Sequence, residues 1–278
     1  MGDNMILELI QYIVLGIIQG FTEPIPVSSS GHLLIVKTLI QSDVLNDMNF
    51  DIFVNFGSLI AIIIFFWKDI IVLIKDFFLY IKTRKDKYKA NFKYCWLIVI
   101  GTIPAGIAGF LLKDIIEEYE NIFIVGCSLL VTSLFLFIIK DFKGEKESKD
   151  LSIKDAFIIG LFQVVALLPG ISRSGATIVG AMFMKLKRDV AFKYSFMLYI
   201  PISCATMLLG VKDLIEDSPE AKVYIYYVVG MVVAGIVTYI STKWFSKIVS
   251  KGKLGIFSLY CLIVGTIIVL SHIILMFI

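Results

Sequence analysis

Two short polar segments interrupt a chain that is otherwise strongly apolar, and both carry residues that are suited to chemistry. Residues 19–32 read QGFTEPIPVSSSGH, and residues 169–177 read PGISRSGAT. The first segment combines a carboxylate, three adjacent serines and a histidine, which is a set that can activate a hydroxyl nucleophile. The second offers hydroxyls, a guanidinium group and the backbone N–H groups of a following helix, which suit an oxyanion such as phosphate or pyrophosphate.

The first segment favours a helix that begins near Ser29, with a serine as N-cap after an extended proline-containing stretch. Ser29 and His32 would share a face of this helix, and Glu23 would be the nearby acid that orients a partner or accepts a proton. Gln19 precedes Glu23 by four residues, so it would orient this carboxylate or help to ligate a cation. His272, the other histidine, lies in the last apolar run and is interpreted as a packing or interfacial residue.

In the second segment, Arg173 and the nearby hydroxyls are candidate phosphate ligands, and the glycines on both sides allow close backbone approach. The predicted phosphate-binding residues of both segments are Gln19, Ser28, Ser30, Gly170, Ser172, Ser174 and Thr177. The hydroxyls of the second segment are also typical of helix caps and of helix packing in membranes. A buried ion pair between Glu23 and Arg173 is another interpretation, because an unpaired charge inside a bilayer costs at least about 2.5 kcal/mol. Such a pair alone would not need the surrounding serines, threonine and histidine.

The composition excludes a soluble protein, because 58% of the 278 residues are hydrophobic, only 18% are charged and the mean hydropathy is +0.89. A transmembrane helix needs about 20 apolar residues, so the charge-free runs predict six membrane spans. They are residues 52–67, 94–112, 121–139, 194–211, 223–242 and 254–278. The net charge of +3 does not indicate a nucleic-acid partner. The four cysteines lack the spacing of a zinc site or a disulfide framework.

Loops rich in Lys and Arg mark the cytoplasmic side. Residues 82–93, 140–155, 185–193 and 243–253 carry six, five, four and four basic residues, whereas 41–51, 113–120 and 212–222 carry none, one and two. The first group is therefore expected inside and the second outside. Two further apolar segments, 9–36 and 156–184, are broken in the middle, and each is predicted to enter and leave on one face. Irregular backbone at membrane depth must be buried in protein or line a wet cavity, so both breaks should meet in the interior.

An internal repeat relates the two broken segments. At an offset of 144 residues, the pairs are Gly16 with Gly160, Gln19 with Gln163, Ser28 with Ser172, Ser30 with Ser174 and Gly31 with Gly175. At a smaller offset, Gly101, Ala105 and Gly106 recur as Gly230, Ala234 and Gly235. Because the two halves have opposite topology, a binding site is expected at their junction near the midplane.

The sequence thus predicts an all-α polytopic membrane protein. Its fold class is an inverted-topology repeat with six transmembrane helices and two re-entrant broken helices. The whole chain, residues 1–278, would be one integral membrane domain. The first repeat would cover residues 1–140 and the inverted second repeat residues 155–278, joined by a cytoplasmic loop at 141–154.

These motifs, their separation and the chain length resemble those of the bacterial undecaprenyl pyrophosphate phosphatase family, known also for bacitracin resistance. That family carries a Glu/Gln-x-x-x-Glu motif running into Pro-Val-Ser-Ser-Ser/Thr-Gly-His, and a Pro-Gly-x-Ser-Arg-Ser-x-x-Thr motif, and both are complete here. The resemblance extends through NFGSLIA at residues 55–61 and through Phe162-Gln163. It implies a multi-pass protein of the bacterial plasma membrane that dephosphorylates the C55 lipid pyrophosphate and so recycles the carrier for peptidoglycan synthesis.

The resemblance also assigns catalytic roles to Ser29, His32, Glu23 and Arg173, with Ser29 as the nucleophile. Many members have a glutamate where this chain has Gln19, so a metal site of two carboxylates is not expected. Any Mg²⁺ or Ca²⁺ would then depend on Glu23 and on the phosphates of the substrate. The implied partners are the polyprenyl pyrophosphate substrate and membrane lipid, with no nucleic acid, and a homodimer is compatible with the sequence.

In the expected mechanism, Arg173 holds the phosphoryl group between the two breaks while Ser29 attacks in line, assisted by Glu23 or His32. A nucleophilic His32, or a water activated by Glu23, are the alternative mechanisms. Hydrolysis is expected on the outer side. The competing class is a flippase for polyprenyl phosphate, which would use the same anion site without needing the serine, histidine and glutamate together. A structural scaffold is disfavoured, because burying these polar residues is costly.

Overall fold

A computed structural model describes residues 2–40, 48–118, 121–217 and 221–277, and it is almost entirely helical over these ranges. Residues 41–47, 119–120 and 218–220, which belong to the three loops expected outside, lie beyond the described residues. The first helices are α1 (Gly2–Thr22), α2 (Ser29–Ile40), α3 (Met48–Phe65), α4 (Trp67–Thr83), α5 (Lys89–Leu111) and α6 (Lys113–Glu118). They are followed by α7 (Ile122–Ile139), α8 (Ile153–Val165), α9 (Arg173–Phe183), α10 (Arg188–Asp217), α11 (Ala221–Ser250) and α12 (Gly255–Phe277).

Six helices in the described ranges are long and apolar enough to cross a membrane, namely α1, α5, α7, α10, α11 and α12. Five of them correspond to predicted spans, and α1 belongs to the first broken segment. The protein is an all-α polytopic membrane protein. The sixth predicted span, residues 52–67, falls instead in α3, which joins α4 at a bend of 72°. That run is only 16 residues long and Lys68 and Asp69 follow it directly, so a straight span would carry charges into the bilayer.

Both broken segments form a helix, an irregular turn and a half-helix. In the first, Pro24 and Pro26 follow the end of α1, and proline disfavours helix both at its own position and at the residue before it. In the second, Pro169 and Gly170 separate α8 from α9, and Gly170 has a φ of 90°. With 12 and 11 residues, α2 and α9 are about 18 Å and 16 Å long, which is roughly half the thickness of a bilayer core.

The helices that precede the two breaks pack in the same way. A Cβ atom on Gly16 of α1 would lie 2.7 Å from the carbonyl oxygen of Gly230 in α11. A Cβ atom on Gly160 of α8 would lie 2.5 Å from the carbonyl oxygen of Gly101 in α5. These are the residues that the internal repeat pairs, and glycine is needed because the backbones are in contact. The two repeats predicted from the sequence thus make the same glycine contacts between helices. The exact repeat boundaries stay a prediction.

Candidate active site

The two breaks touch each other, as expected. A Cβ atom on Gly31 would lie 3.2 Å from the Cα atom of Gly170, so the first turn of α2 lies directly against the second break. Ser174 Oγ donates a hydrogen bond of 3.4 Å to the carbonyl oxygen of Ile25 in the first break. The irregular backbone of each half is therefore covered by the other half, which is the arrangement that a membrane interior requires.

Each half-helix is capped by a serine of its own motif. Ser28 Oγ accepts the N–H of Gly31 at 3.2 Å, and Ser172 Oγ accepts the N–H of Gly175 at 3.1 Å. The interpretation of these serines as helix caps is confirmed. Ser29 and Arg173, the first residues of α2 and α9, follow the caps directly. The N-termini of α2 and α9 therefore lie close together. Each offers unpaired N–H groups and the positive end of a helix dipole.

A cavity of about 250 Å³ lies where the two helices begin. Eight predicted site residues line it, and they are Gln19, Glu23, Ser28, Ser29, Ser30, Ser172, Arg173 and Ser174. Carboxylate, hydroxyl and guanidinium groups from both motifs therefore share one space. A cavity of this volume, with convergent polar groups and a half-helix on each side, is a suitable site for a small oxyanion.

Glu23 is the centre of a hydrogen-bond network on the first half. The Ser29 hydroxyl donates to Glu23 Oε2, and Gln19 Nε2 donates to the same oxygen at 3.0 Å. Gln19 Nε2 also donates to Asn55 Oδ1 of α3 at 3.0 Å, which fixes the amide against a second helix. The contact between Gln19 and Glu23 that their four-residue spacing predicts is present. A carboxylate that accepts from a serine hydroxyl is an arrangement in which it can act as a general base.

Arg173 is held by the second half alone. Its Nη1 donates to Ser203 Oγ at 2.9 Å, and its guanidinium carbon lies 5.1 Å from the ring centroid of Tyr199. Within the described ranges, no ion pair joins Arg173 to Glu23, so the interpretation of the two charges as a direct salt bridge is wrong. A guanidinium group has five N–H donors, and fixing one of them leaves donors for a ligand in the cavity.

Three predicted site residues, His32, Gly170 and Thr177, do not line this cavity. Thr177 Oγ1 donates to the carbonyl oxygen of Arg173 at 2.9 Å and contacts the Ser195 hydroxyl, so it links α9 to α10. Gly170 packs against α7, where a Cβ atom would lie 2.8 Å from Val125 backbone atoms. Thr177 also lines a smaller cavity of about 10 Å³ that Glu23 and Arg173 adjoin.

His32 is turned toward a different helix. Its Nδ1 lies 2.7 Å from the carbonyl oxygen of Ser28, and its Nε2 lies 2.7 Å from the Tyr260 hydroxyl of α12. Ser29 is hydrogen-bonded to Glu23 instead. The shared helical face that the spacing predicts therefore does not bring the two side chains together.

Sequence reasoning missed several residues that the fold brings to the cavity. Lys37 lines it and forms an ion pair with Asp51 of α3 at 2.7 Å, and Asn55 lines it one turn further along α3. Lys37 is the single charge in the apolar second half of α2 and follows Ser29 by about two helical turns, so its spacing was a usable signal.

The oxygen atoms in the cavity suit a cation that is also coordinated by a bound ligand. They do not form a complete metal site by themselves. Among the described residues, no three His, Cys, Asp or Glu side chains are grouped closely enough to hold an ion. Gln19 Oε1 is buried and accepts no hydrogen bond from the described residues, so one amide oxygen near the end of α1 and the Glu23 carboxylate just after it are available. Two oxygen ligands suit Mg²⁺ or Ca²⁺ only if a bound ligand supplies the others.

The fold and the cavity define a polytopic membrane protein with a serine–carboxylate pair and an arginine facing one anion-sized space. The model of the bacitracin resistance protein BacA family matches residues 12–267. The chain belongs to this family.

Curated relatives match almost end to end. Undecaprenyl-diphosphatase 2 of Bacillus thuringiensis (strain Al Hakam) is 45% identical over 260 residues, which cover 93% of this chain and 96% of that protein. Undecaprenyl-diphosphatase 1 of Bacillus licheniformis is 42% identical over 261 residues, with coverage of 93% and 96%. Undecaprenyl-diphosphatase of Oceanobacillus iheyensis is 40% identical over 265 residues, with coverage of 94% and 96%.

Proposed function

We propose that this chain is an undecaprenyl-diphosphatase, a membrane hydrolase that converts undecaprenyl diphosphate to undecaprenyl phosphate and inorganic phosphate. The observation that carries the proposal is the Ser29 hydroxyl donating to Glu23 in a cavity that Arg173 also lines. The names of the relatives and of the family support the same activity and its link to bacitracin resistance. A flippase would need the anion site but not a base on a serine, and the relatives favour the phosphatase.

The diphosphate head group binds between the two half-helices. Arg173, the N-terminus of α9 and the hydroxyls of Ser172 and Ser174 bind the phosphoryl group to be transferred. Lys37 supplies a second cation in the same cavity and stabilises the remaining negative charge. Phosphoryl transfer depends mainly on positioning and on charge stabilisation, and this arrangement provides both.

Ser29 Oγ attacks the terminal phosphorus while Glu23 Oε2 takes the serine proton. The bond from that phosphorus to the bridging oxygen breaks, and undecaprenyl phosphate leaves with the proton that Glu23 received. A water molecule, deprotonated by Glu23, then attacks the phosphoserine, and Ser29 Oγ leaves with that proton as inorganic phosphate is released. Direct attack by a water activated by Glu23 is the competing mechanism, and the contacts favour Ser29 over His32 as the nucleophile.

Glu23 and Gln19 Oε1 are the residues that would hold a divalent cation together with the substrate phosphates. Such a cation would neutralise charge that develops on the phosphate oxygens. We expect EDTA to lower activity and added Mg²⁺ or Ca²⁺ to restore it.

The test is phosphate release from C55 or C15 prenyl diphosphate by purified protein in detergent. We expect turnover by the wild type and its collapse in Glu23→Gln and Arg173→Ala. In Ser29→Ala, loss of turnover supports the covalent route, whereas residual turnover indicates attack by water. No phosphate release from a folded wild-type preparation would overturn the proposed activity.

The protein is a multi-pass membrane protein, and we place catalysis on the outer side, where the diphosphate carrier is released. The basic loops expected inside support this orientation. Labelling of Lys37→Cys by a membrane-impermeant thiol reagent in intact cells tests the accessible side. The predicted homodimer is tested separately, by the mass of the detergent-solubilised protein.

A further inference from the structure

His32 connects α2 to α12 from outside the catalytic cavity. Its Nδ1 lies 2.7 Å from the Ser28 carbonyl oxygen, and its Nε2 lies 2.7 Å from the Tyr260 hydroxyl. The two rings are stacked, with centroids 5.6 Å apart and an angle of 15° between their planes. Both ring nitrogens therefore have a partner, and neither partner is Ser29 or Glu23.

These contacts determine where the imidazole carries its proton. A carbonyl oxygen can only accept a hydrogen bond, so Nδ1 must be protonated. In the neutral ring Nε2 is then an acceptor, and the Tyr260 hydroxyl donates to it. If the proton moved to Nε2, the Nδ1 lone pair would face the Ser28 carbonyl oxygen, and this contact would become repulsive.

The carbonyl that His32 binds belongs to the peptide unit just before Ser29. Ser28 has a φ of 69°, a left-handed conformation that costs a residue with a side chain about 1 kcal/mol or more. The same carbonyl also accepts the backbone N–H of His32 at 3.2 Å. The imidazole therefore stabilises a strained turn whose next residue is the nucleophile.

We propose that His32 and Tyr260 are positioning residues, in which the Tyr260 hydroxyl donates to Nε2 and holds the imidazole in place, and His32 Nδ1–H holds the Ser28 carbonyl so that Ser29 stays on Glu23. The effect on turnover rests on the proposed phosphatase function, whereas the position of the ring proton does not. The opposing view is that His32 acts as an acid, base or nucleophile through Nε2.

Asparagine and glutamine at position 32 separate these views. The amide nitrogen of asparagine is attached to Cγ, as Nδ1 of histidine is, so His32→Asn can keep the donor to Ser28. Glutamine places its amide nitrogen near the position of Nε2 instead. With prenyl diphosphate as substrate, we expect kcat to stay within about tenfold of wild type in His32→Asn and to fall by about a hundredfold or more in His32→Gln.

Tyr260→Phe keeps the stacked ring and removes the hydroxyl. We expect kcat to fall by about tenfold with KM within about twofold of wild type, because the turn and not substrate binding is affected. Tyr239→Phe is the matched control, since Tyr239 is a similarly exposed tyrosine on α11 that lies outside the cavity. In the His32→Asn background, Tyr260→Phe should have no further effect if Tyr260 acts through the imidazole.

A spectroscopic measurement reads the tautomer without turnover. The chain has only two histidines, so a sample labelled with ¹⁵N-histidine in the His272→Asn background gives ring signals from His32 alone. We expect the proton on Nδ1 in that background. Adding Tyr260→Phe should leave the proton there and shift the Nε2 signal, because Nε2 loses the hydroxyl that donates to it. Tyr239→Phe should leave the ring signals unchanged.

The proposal is overturned if folded His32→Asn is as inactive as His32→Gln, if the ring proton lies on Nε2, or if Tyr260→Phe leaves the Nε2 signal unchanged. A failure of the proposed function is distinguishable, because a wild type without turnover would still give the ¹⁵N result.

Discussion

In the first break, Ser28 Oγ accepts the N–H of Gly31 at 3.2 Å, and in the second break Ser172 Oγ accepts the N–H of Gly175 at 3.1 Å. In both, the capping serine also contacts the serine two residues further along the chain. The two halves thus build the same hydrogen-bonded entry to a half-helix. The same capped helix entry therefore occurs twice, once on each side of the cavity.

The two breaks differ at the positions that react. Ser29 in the first half corresponds to Arg173 in the second, and Glu23 corresponds to Leu167 at the same offset of 144 residues. In the proposed mechanism, proton transfer therefore belongs to the first half, and the arginine that holds the transferred phosphoryl group belongs to the second. Each charge has partners within its own half, so the phosphate can enter between them without first breaking a salt bridge.

Loss of the Glu23 carboxylate should produce the largest fall in turnover. In Glu23→Gln the side chain keeps its shape but can no longer take the proton of Ser29, so we expect kcat to fall by about a thousandfold. Phosphate release in detergent measures the effect.

Glu147→Gln is the control, because Glu147 pairs with Lys187 on the surface and does not line the cavity. Turnover near the wild-type level in a folded Glu23→Gln sample would contradict the division of roles between the halves.

The equivalent test on the second half is Arg173→Lys, which keeps the positive charge and removes the planar guanidinium group. Lysine cannot reproduce both the bond to Ser203 and the contact over Tyr199 while binding phosphate. We expect kcat/KM to fall by about a hundredfold, mainly through loss of donors to the transition state.

Arg84→Lys, on an exposed turn, should leave the kinetics unchanged. If Arg173→Lys retained full activity, charge alone would be sufficient, and the guanidinium geometry would have no role.

The local features of both breaks were predictable because they depend on short sequence distances. The prolines, the capping serines and the four-residue spacing of Gln19 and Glu23 each act within one or two turns. The internal repeat also predicted that the two breaks would lie against each other. The predicted span at 52–67 shows the limit of composition, because an apolar run does not reveal that the chain bends by 72° at its end.

The partners supplied by distant helices were not predictable. His32 was expected to face Ser29 on spacing alone, yet its Nε2 contacts Tyr260, 228 residues away in the chain. Ser203 binds Arg173 from the middle of α10 in the same unpredictable way. No periodic pattern links such residues, since their proximity depends on how complete helices pack.

Gln19 and its repeat counterpart Gln163 allow a third comparison of the halves, in which the expected change in cation dependence is smaller. Gln19 contacts Glu23 and Asn55, whereas its counterpart Gln163 is buried and neither of its amide atoms has a hydrogen-bond partner in the described structure. Gln19→Glu places a second carboxylate four residues from Glu23. We expect the concentration of Mg²⁺ or Ca²⁺ that gives half-maximal activity to fall by about tenfold, because ligand charge increases cation affinity.

Gln163→Asn is the control on the other half and should leave the cation dependence unchanged. An unchanged cation dependence in Gln19→Glu would mean that Glu23 and Gln19 do not bind the ion.

The smallest effect is expected when the capping serine of each half is replaced by glycine. Ser28 has a φ of 69°, whereas its counterpart Ser172 has a φ of −71°. Both substitutions remove a cap, which costs a few tenths of a kcal/mol when the new residue is glycine. Only Ser28→Gly also relieves left-handed strain, which is about 1 kcal/mol. We therefore expect Ser28→Gly to be more stable than Ser172→Gly by about 1 kcal/mol, or roughly 2 °C in the midpoint of thermal unfolding in detergent. Equal losses in the two variants would mean that the Ser28 turn stores no strain, and that the two caps are equivalent in energy as well as in hydrogen bonding.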